Sequence, residues 1–243
     1  MALVFLEGLN QYKGAPYNGE RTLTTTPGTM KKLLKISLAL AAIVGFGGAF
    51  AQDVAAGLKK ATMCIGCHGI PGYQASFPEV HKVPMIAGQN AKYIASALTA
   101  YAKGERKHPS MRGIATSLSE QDIADLAAFY AAQSKAPVVP DAVAPPSAKI
   151  AELLSKGACV SCHGANFSKP IDGSYPKLAG QHGDYLNVAL KSYQTEGNPQ
   201  VGRGNAIMAG QVKQFSRAEL KEIAGYLASL PGELRTVPES RFR

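Results

Sequence analysis

Residues 64–68 read Cys-Ile-Gly-Cys-His, and residues 159–163 repeat this C-x-x-C-H pattern as Cys-Val-Ser-Cys-His. The pattern is the attachment signature of a c-type haem. Two thiols three positions apart can reach the two vinyl groups along one edge of a porphyrin. The imidazole that follows the second thiol can reach the iron from the same side. The sequence therefore predicts two covalently bound haem groups with their iron, attached through Cys64, Cys67, Cys159 and Cys162.

Two other roles of a C-x-x-C pair fit the sequence less well. Such a pair can form half of a zinc site or a thioredoxin-like redox pair. Neither role requires a histidine directly after the second cysteine, and both copies have one. All four cysteines of the chain lie in the two motifs, so none remains for a disulfide or for a further zinc ligand.

The composition is that of an ordinary soluble protein. The chain has 243 residues, a formal net charge of +9, 46% apolar residues and no tryptophan. This length suffices for one large or two small domains. No run of basic residues is interleaved with aromatic residues, so the sequence predicts no nucleic-acid partner.

The first 51 residues differ from the rest. Residues 1–29 have no sustained hydrophobic period, and we interpret them as an upstream extension that is either not translated or disordered. Residues 30–51 have a lysine-rich start, an apolar run over residues 36–50 and a small-residue site ending at Ala51, which is typical of a cleaved signal peptide. The run of 15 apolar residues is shorter than the roughly 20 that span a bilayer, which disfavours an uncleaved anchor. We expect a mature periplasmic protein that begins near Gln52.

The remaining sequence consists of two similar halves. Four prolines within ten residues predict a semi-rigid linker over residues 136–146. It separates a first domain, residues 52–135, from a second, residues 147–243. Each half contains, in the same order, a haem motif, a P-x-(Ile/Leu)-A-G-Q block, a helical stretch, a methionine and a final helix. No strand alternation is evident, so the predicted fold is all-α, with two tandem domains that each surround one haem.

The two repeats also share their apolar and tyrosine positions. The P-x-(Ile/Leu)-A-G-Q blocks cover residues 84–89 and 176–181. We interpret the aromatic and aliphatic positions that follow as packing residues, because a haem completes the small core of each half. These positions are Tyr93, Leu98 and Tyr101 in the first half and Tyr185, Leu190 and Tyr193 in the second. Ser119 with Asp122, and Ser216 with Glu219, predict capped starts of the two final helices.

His68 and His163 are the predicted proximal iron ligands because of their place in the motif. A second ligand on the opposite face of each haem remains to be found. Met208 follows His163 by 45 residues, and Met111 follows His68 by 43, each just before a final helix. These two methionines are the predicted distal ligands.

Several alternatives stand beside these distal ligands. A methionine is more commonly a gap-filling core residue than a ligand. His108 is the rival of Met111 in the first half. Met85 aligns with Lys177 in the repeat, so a shared architecture would not use it. His81 and His182 have no counterpart in the other half and are interpreted as ordinary surface or loop histidines. The backbone carbonyls of Pro84 and Pro176 are plausible acceptors for the second ring N–H of the proximal histidines.

The chain resembles the cytochrome c4 family of secreted dihaem proteins over nearly all of residues 52–230. The resemblance lies in the two C-x-x-C-H motifs, the repeated blocks, the Gly104-Glu105-Arg106 turn, the two methionines and the closing helices. It implies His/Met ligation of both irons, with the Pro84 and Pro176 carbonyls on the proximal histidines. It also implies haems that approach each other across the domain interface, and a respiratory role. The loop over residues 69–83 departs from its counterpart.

An iron with two axial protein ligands has no open position for a substrate, and an axial methionine raises its potential. We therefore expect an electron carrier rather than an enzyme, with a respiratory donor complex and a terminal oxidase or similar acceptor as partners. Peripheral association with a membrane is compatible with this role. One alternative is the electron-accepting subunit of a dehydrogenase, such as a flavoprotein that oxidises sulfide. Another is a dihaem peroxidase or thiosulfate-oxidising enzyme.

Overall fold

The computed structural model describes residues 52–134 and 145–238. The upstream extension predicted for residues 1–29, the signal peptide predicted for residues 30–51 and most of the predicted linker lie outside the described residues. Among the described residues, no helix has the length and apolar character needed to cross a bilayer.

The first half is a group of five helices within the described part of the chain. They are α1 (Val54–Lys60), α2 (Thr62–His68), α3 (Ala91–Lys103), α4 (Pro109–Ala115) and α5 (Glu120–Ala132). Helix α5 packs against both α1 and α3. Its core residues include Leu126, Phe129 and Tyr130, which cluster with Ile65 of the haem motif and Ile94. The first C-x-x-C-H motif is therefore fixed to this core through its own second residue.

The second half repeats this arrangement over residues 145–238. Its helices are α6 (Ala148–Lys156), α7 (Val160–His163), α8 (Gly183–Tyr193), α9 (Ala206–Val212) and α10 (Arg217–Ser229). Helix α10 packs against α8 and α6. Its core is larger and centres on Phe167 and Leu220, both almost fully buried.

The final helices start where the sequence predicted. Ser119 accepts from the backbone N–H of Asp122, and the Asp122 side chain accepts from the Ser119 backbone N–H. Ser216 and Glu219 form the same capping box at the start of α10. Each box satisfies two backbone donors that a helix start leaves unpaired, so the prediction of capped helices is confirmed.

Four strands of two residues each accompany the helices in the described ranges. They are β1 (Gln74–Ala75), β2 (His81–Lys82), β3 (Arg106–Lys107) and β4 (Gly202–Arg203). Strands β1 and β2 pair within the first half, whereas β3 and β4 pair antiparallel between the two halves. A two-residue strand is too short to show alternation in sequence. The all-α prediction is confirmed at the level of the fold.

The end of the second half crosses onto the first half. The Arg235 N–H donates to the Ala87 carbonyl at 3.2 Å, and these two residues form an isolated β-bridge. Val237 packs against the first core, and the Arg235 guanidinium donates to the Gln133 carbonyl. The described C-terminal segment thus ties the two halves together.

Candidate haem-binding sites

The first C-x-x-C-H motif lies on helix α2. His68 is the last residue of that helix, and its Nδ1 lies 2.8 Å from the carbonyl oxygen of Pro84. Cys64 is half-buried beside the first core, whereas Cys67 is exposed. The structure therefore brings together the motif histidine and the first residue of the P-x-(Ile/Leu)-A-G-Q block.

The second motif has a similar arrangement on a shorter helix. Cys159 is the N-cap residue of α7, and His163 is its last residue. The Nδ1 of His163 lies 3.2 Å from the carbonyl oxygen of Pro176. His163 is only 6% exposed, and its ring lies edge-on to Tyr175.

The state of the two histidines fits an iron ligand. A carbonyl oxygen can only accept, so Nδ1 carries the proton in each ring, and Nε2 keeps its lone pair. Burial lowers the pKa of both His68 and His163, while the bonds to Pro84 and Pro176 oppose that shift. Both imidazoles are therefore neutral near pH 7, which is the form that binds a metal.

The surroundings of the cysteines disfavour a zinc site. All four lie within the described residues, and none is in a disulfide. Burial raises the pKa of the Cys64 and Cys159 thiols, which disfavours the thiolate that zinc requires. Across residues 52–134 and 145–238, no three His, Cys, Asp or Glu side chains are grouped to hold a metal ion.

The two predicted distal methionines occupy matching helices. Met111 lies on α4, whose N-cap is His108, and the Met111 N–H donates to the His108 ring at 3.4 Å. Met208 lies on α9, whose N-cap is Asn205, and the Met208 N–H donates to the Asn205 side chain at 3.0 Å. Both methionines are half-buried. The His108 ring is engaged as a helix cap and also stacks edge-on with Phe77.

The interpretation of His81 as a surface or loop histidine is wrong. His81 lies on β2 and is only 4% exposed. Its Nδ1 lies 2.8 Å from the Glu79 carbonyl, and its ring lies 6.2 Å from the ring of Tyr185 in the other half. Contact with the second half buries this residue, and a repeat alignment does not reveal such contacts. His182 is half-buried just before α8.

A cluster of two arginines and four tyrosines lies where the halves meet. Arg106 pairs with Arg203 in the β3–β4 ladder. The Arg106 guanidinium donates to the Tyr93 hydroxyl at 3.1 Å and to the Tyr185 hydroxyl at 2.8 Å. Arg203 donates to the same Tyr185 hydroxyl at 3.2 Å. The two guanidinium groups also lie over the rings of Tyr101 and Tyr193.

The positive charge of this cluster is not balanced by a carboxylate of the described residues. Among ion pairs formed by described residues, none involves Arg106 or Arg203. The Arg106 Nε is buried without a hydrogen-bond partner. Burial raises the pKa of Tyr185, but the two guanidinium charges outweigh it and lower that pKa to about 8. A half-buried cation is stabilised by a nearby anion, and the carboxylates of a haem would supply one.

The sequence interpretation missed this cluster. Tyr185 and Tyr193 do pack against the second core as predicted. All four tyrosines also contact a half-buried arginine, which the packing interpretation did not include. Leu98 and Leu190 do pack against the two cores as expected. The available signal was that Arg106 and Arg203 each precede the predicted distal methionine by five residues.

Two C-x-x-C-H helices, each with its histidine on a proline carbonyl inside a separate helical half, define a tandem c-type cytochrome. Comparison with known families supports this class. The sequence model of the family Cytochrome c matches residues 54–132 and again residues 147–231. The chain belongs to the cytochrome c family, and within it to the cytochrome c4 proteins.

Three relatives illustrate this placement. Cytochrome c4 of Pseudomonas aeruginosa is 32% identical over 208 residues, covering 83% of this chain and all of the relative. The crystal structure of reduced recombinant cytochrome c4 from Pseudomonas stutzeri is 29% identical with a TM-score of 0.57, covering 74% of this chain and 100% of that one. A thiosulfate dehydrogenase electron acceptor of Thiomonas intermedia is 28% identical over 80% of this chain and 90% of its own length.

These findings confirm the predicted resemblance, fold class and cofactor. The protein is a cytochrome c4-like electron-transfer protein with two covalently bound haem c groups.

Proposed function

We propose that this protein is a periplasmic carrier of single electrons between respiratory partners, with a terminal oxidase or a similar protein as acceptor. The periplasmic location rests on the signal peptide predicted for residues 30–51. The two carrier domains are residues 52–135 and 147–243, joined by the linker at 136–146.

The site residues have matching roles in the two halves. Cys64 and Cys67 would hold one haem through thioether bonds, and Cys159 and Cys162 would hold the other. His68 and His163 would be the proximal iron ligands, and Met111 and Met208 the distal ones. When bound, each haem c supplies a couple between ferric and ferrous iron that exchanges one electron.

The chain's own residues hold these ligands in place. The Pro84 and Pro176 carbonyls fix the tautomer and the ring orientation of the proximal histidines. His108 and Asn205 cap the short helices that carry the methionines. The half-buried Arg106 and Arg203, which contact tyrosines where the halves meet, would neutralise haem carboxylates.

One observation carries the proposal: both halves have the same candidate iron ligands at equivalent positions of the repeat. Each has a histidine on a proline carbonyl, and each has a methionine on a short capped helix. A dihaem peroxidase or a thiosulfate-oxidising enzyme needs an iron with an open or replaceable ligand. Neither half differs from the other in this respect, so we assign the protein as a carrier and not as an enzyme.

A second function has specific support. Two relatives are thiosulfate dehydrogenase electron acceptors, from Thiomonas intermedia and from Stutzerimonas stutzeri. A dedicated electron-accepting subunit of a dehydrogenase, whether for thiosulfate or a flavoprotein for sulfide, would use the same ligand set. It would differ only in its partner.

The carrier function is tested by the optical spectrum of the reduced protein before and after addition of carbon monoxide. We expect no change, because protein ligands close both irons. Ready binding of the gas by one haem would contradict the ligand assignment in that half and would favour the enzyme.

The two electron-transfer functions are separated by purification from the native membrane and periplasmic fractions. Stable co-purification with a dehydrogenase subunit would favour the accepting subunit, and purification alone would favour the free carrier.

A further inference from the structure

The two glutamines that close the P-x-(Ile/Leu)-A-G-Q blocks reach into each other's half. Gln181 accepts the Met85 N–H at 3.0 Å and donates to the Met85 carbonyl at 2.9 Å. Gln89 accepts the Lys177 N–H at 2.9 Å and donates to the Lys177 carbonyl at 3.0 Å. Met85 and Lys177 are equivalent positions of the two repeats, so the contact is reciprocal.

Each glutamine is buried and held firmly. Gln89 and Gln181 are both 4% exposed. Each Oε1 also accepts the N–H of the next residue in its own chain segment, Asn90 or His182, at 3.0 Å. The side-chain amide therefore has a fixed orientation, with the oxygen toward two backbone N–H groups and the nitrogen toward one backbone carbonyl.

The peptide group that each glutamine contacts is the one that orients a proximal histidine. The Pro84 carbonyl and the Met85 N–H belong to one peptide unit. Its oxygen accepts from His68 Nδ1, and its N–H donates to Gln181. In the second half, the peptide unit of Pro176 and Lys177 lies in the same way between His163 and Gln89. Each histidine is thus one peptide unit away from a glutamine of the opposite half.

This chain of bonds has an electronic consequence. An acceptor on a peptide N–H draws electron density toward the carbonyl oxygen, which then becomes a stronger acceptor. A stronger acceptor on Nδ1–H makes the imidazole a more basic metal ligand. A more basic ligand favours ferric iron and lowers the reduction potential.

We propose that Gln89 and Gln181 are positioning residues that tune the haem of the opposite half through the proline peptide. Gln181 acts on His68, and Gln89 acts on His163. The inference rests on the proposed role of these histidines as iron ligands. It assigns a function to the last position of the repeated block, which neither the haem motif nor the core requires.

The test uses the full-length holoprotein with Gln181→Leu, which removes the acceptor while filling much of its volume. We expect the ferric-to-ferrous equilibrium constant of the first half to rise about two- to tenfold, since polarisation changes a hydrogen bond by roughly 10–30%. That is about 20 to 60 mV for a one-electron couple. The His68 Nδ1–H proton resonance of the reduced protein should move upfield, while the His163 resonance stays in place. Gln89→Leu should give the mirror result in the second half.

The controls separate tuning from simple attachment of the halves. Asn90→Ala removes another contact between the halves, the 3.0 Å bond to the Tyr175 carbonyl, and should change neither potential. Gln181→Met, which matches the glutamine more closely in length, is used if the leucine variant does not fold. Equal shifts in both halves, a shift only in the half that carries the substitution, or no shift would overturn the proposal. Binding of carbon monoxide by the wild-type protein would contradict the carrier function, but the histidine resonances would still report the hydrogen bond.

Discussion

At the scale of single residues, the two ring nitrogens of each proximal histidine have different roles: one makes a hydrogen bond, and the other is available to bind iron. Nδ1 is committed to a proline carbonyl, at 2.8 Å for His68 and 3.2 Å for His163. Nε2 is then left as the only nitrogen with a lone pair. Because the first bond is the shorter, the first imidazole is held more strongly and should be the more basic ligand.

The assignment of Met111 is tested by Met111→Ala. Removal of the thioether should open the first iron and lower its potential by at least about 60 mV, a tenfold change in equilibrium constant. The second haem should be largely unaffected. A redox titration with carbon monoxide binding measures both effects, and Met85→Leu serves as the matched control. Unchanged spectra in the alanine variant would mean that Met111 is not a ligand.

At the scale of elements, the P-x-(Ile/Leu)-A-G-Q block concentrates several constraints in six residues. Its proline accepts from the histidine, its second residue binds the opposite glutamine, and its glycine permits a close crossing of two chain segments. Gly88 has a φ of +86°, and an added Cβ would lie 2.7 Å from the Glu233 carbonyl oxygen. Gly180 has the same left-handed backbone, with φ +73°.

Gly88→Ala should therefore destabilise the protein. The left-handed conformation alone costs a residue with a Cβ roughly 1–2 kcal/mol, and displacement of the Glu233 backbone adds to this. Urea unfolding of the holoprotein measures the loss. Gly72→Ala is the control, because Gly72 has a φ of +73° but no atom within 4 Å of an added Cβ. If Gly88→Ala lowered the free energy of unfolding no more than Gly72→Ala, the close contact with the C-terminal segment would not contribute to stability.

At the scale of the whole molecule, the interface between the halves is built around charge. Arg106 and Arg203 lie half-buried among tyrosines, and neither pairs with a carboxylate in the described part of the chain. A partly desolvated cation favours the reduced form of a nearby iron centre, because reduction removes one positive charge.

Arg106→Gln should lower the reduction potentials of both haems. Arg106 binds Tyr93 of one half and Tyr185 of the other, so its charge acts on both sites. The expected effect is on the order of 1 kcal/mol per site at an effective dielectric constant of about 20. A two-step redox titration measures it, with the exposed Arg217→Gln as the control for loss of a surface charge. If only one reduction potential fell, the Arg106 charge would affect the haem of one half alone.

The sequence predicts the features that each half repeats, but it does not predict the contacts between the two halves. Both haem motifs, the two helical halves and the capping boxes at Ser119 and Ser216 depend on local spacing, which the sequence contains. The burial of His81 and the arginine–tyrosine cluster depend on contacts between residues about a hundred positions apart. Gln89 and Gln181 were visible as the last letters of a repeated block, but only the fold shows that they exchange partners.

The reciprocal contacts obey the rule of an isologous dimer, in which residue i meets j and j meets i. Gln89 meets Lys177 as Gln181 meets Met85, and Arg106 faces its own counterpart Arg203 in the β3–β4 ladder. The fold therefore has an approximate twofold axis through that ladder. It has the form of a homodimer whose two halves belong to one chain, so that their association is intramolecular and has a high effective concentration. Equivalent positions of the two halves carry different residues, as Met85 and Lys177 do, so the two symmetry-related sites need not share one potential.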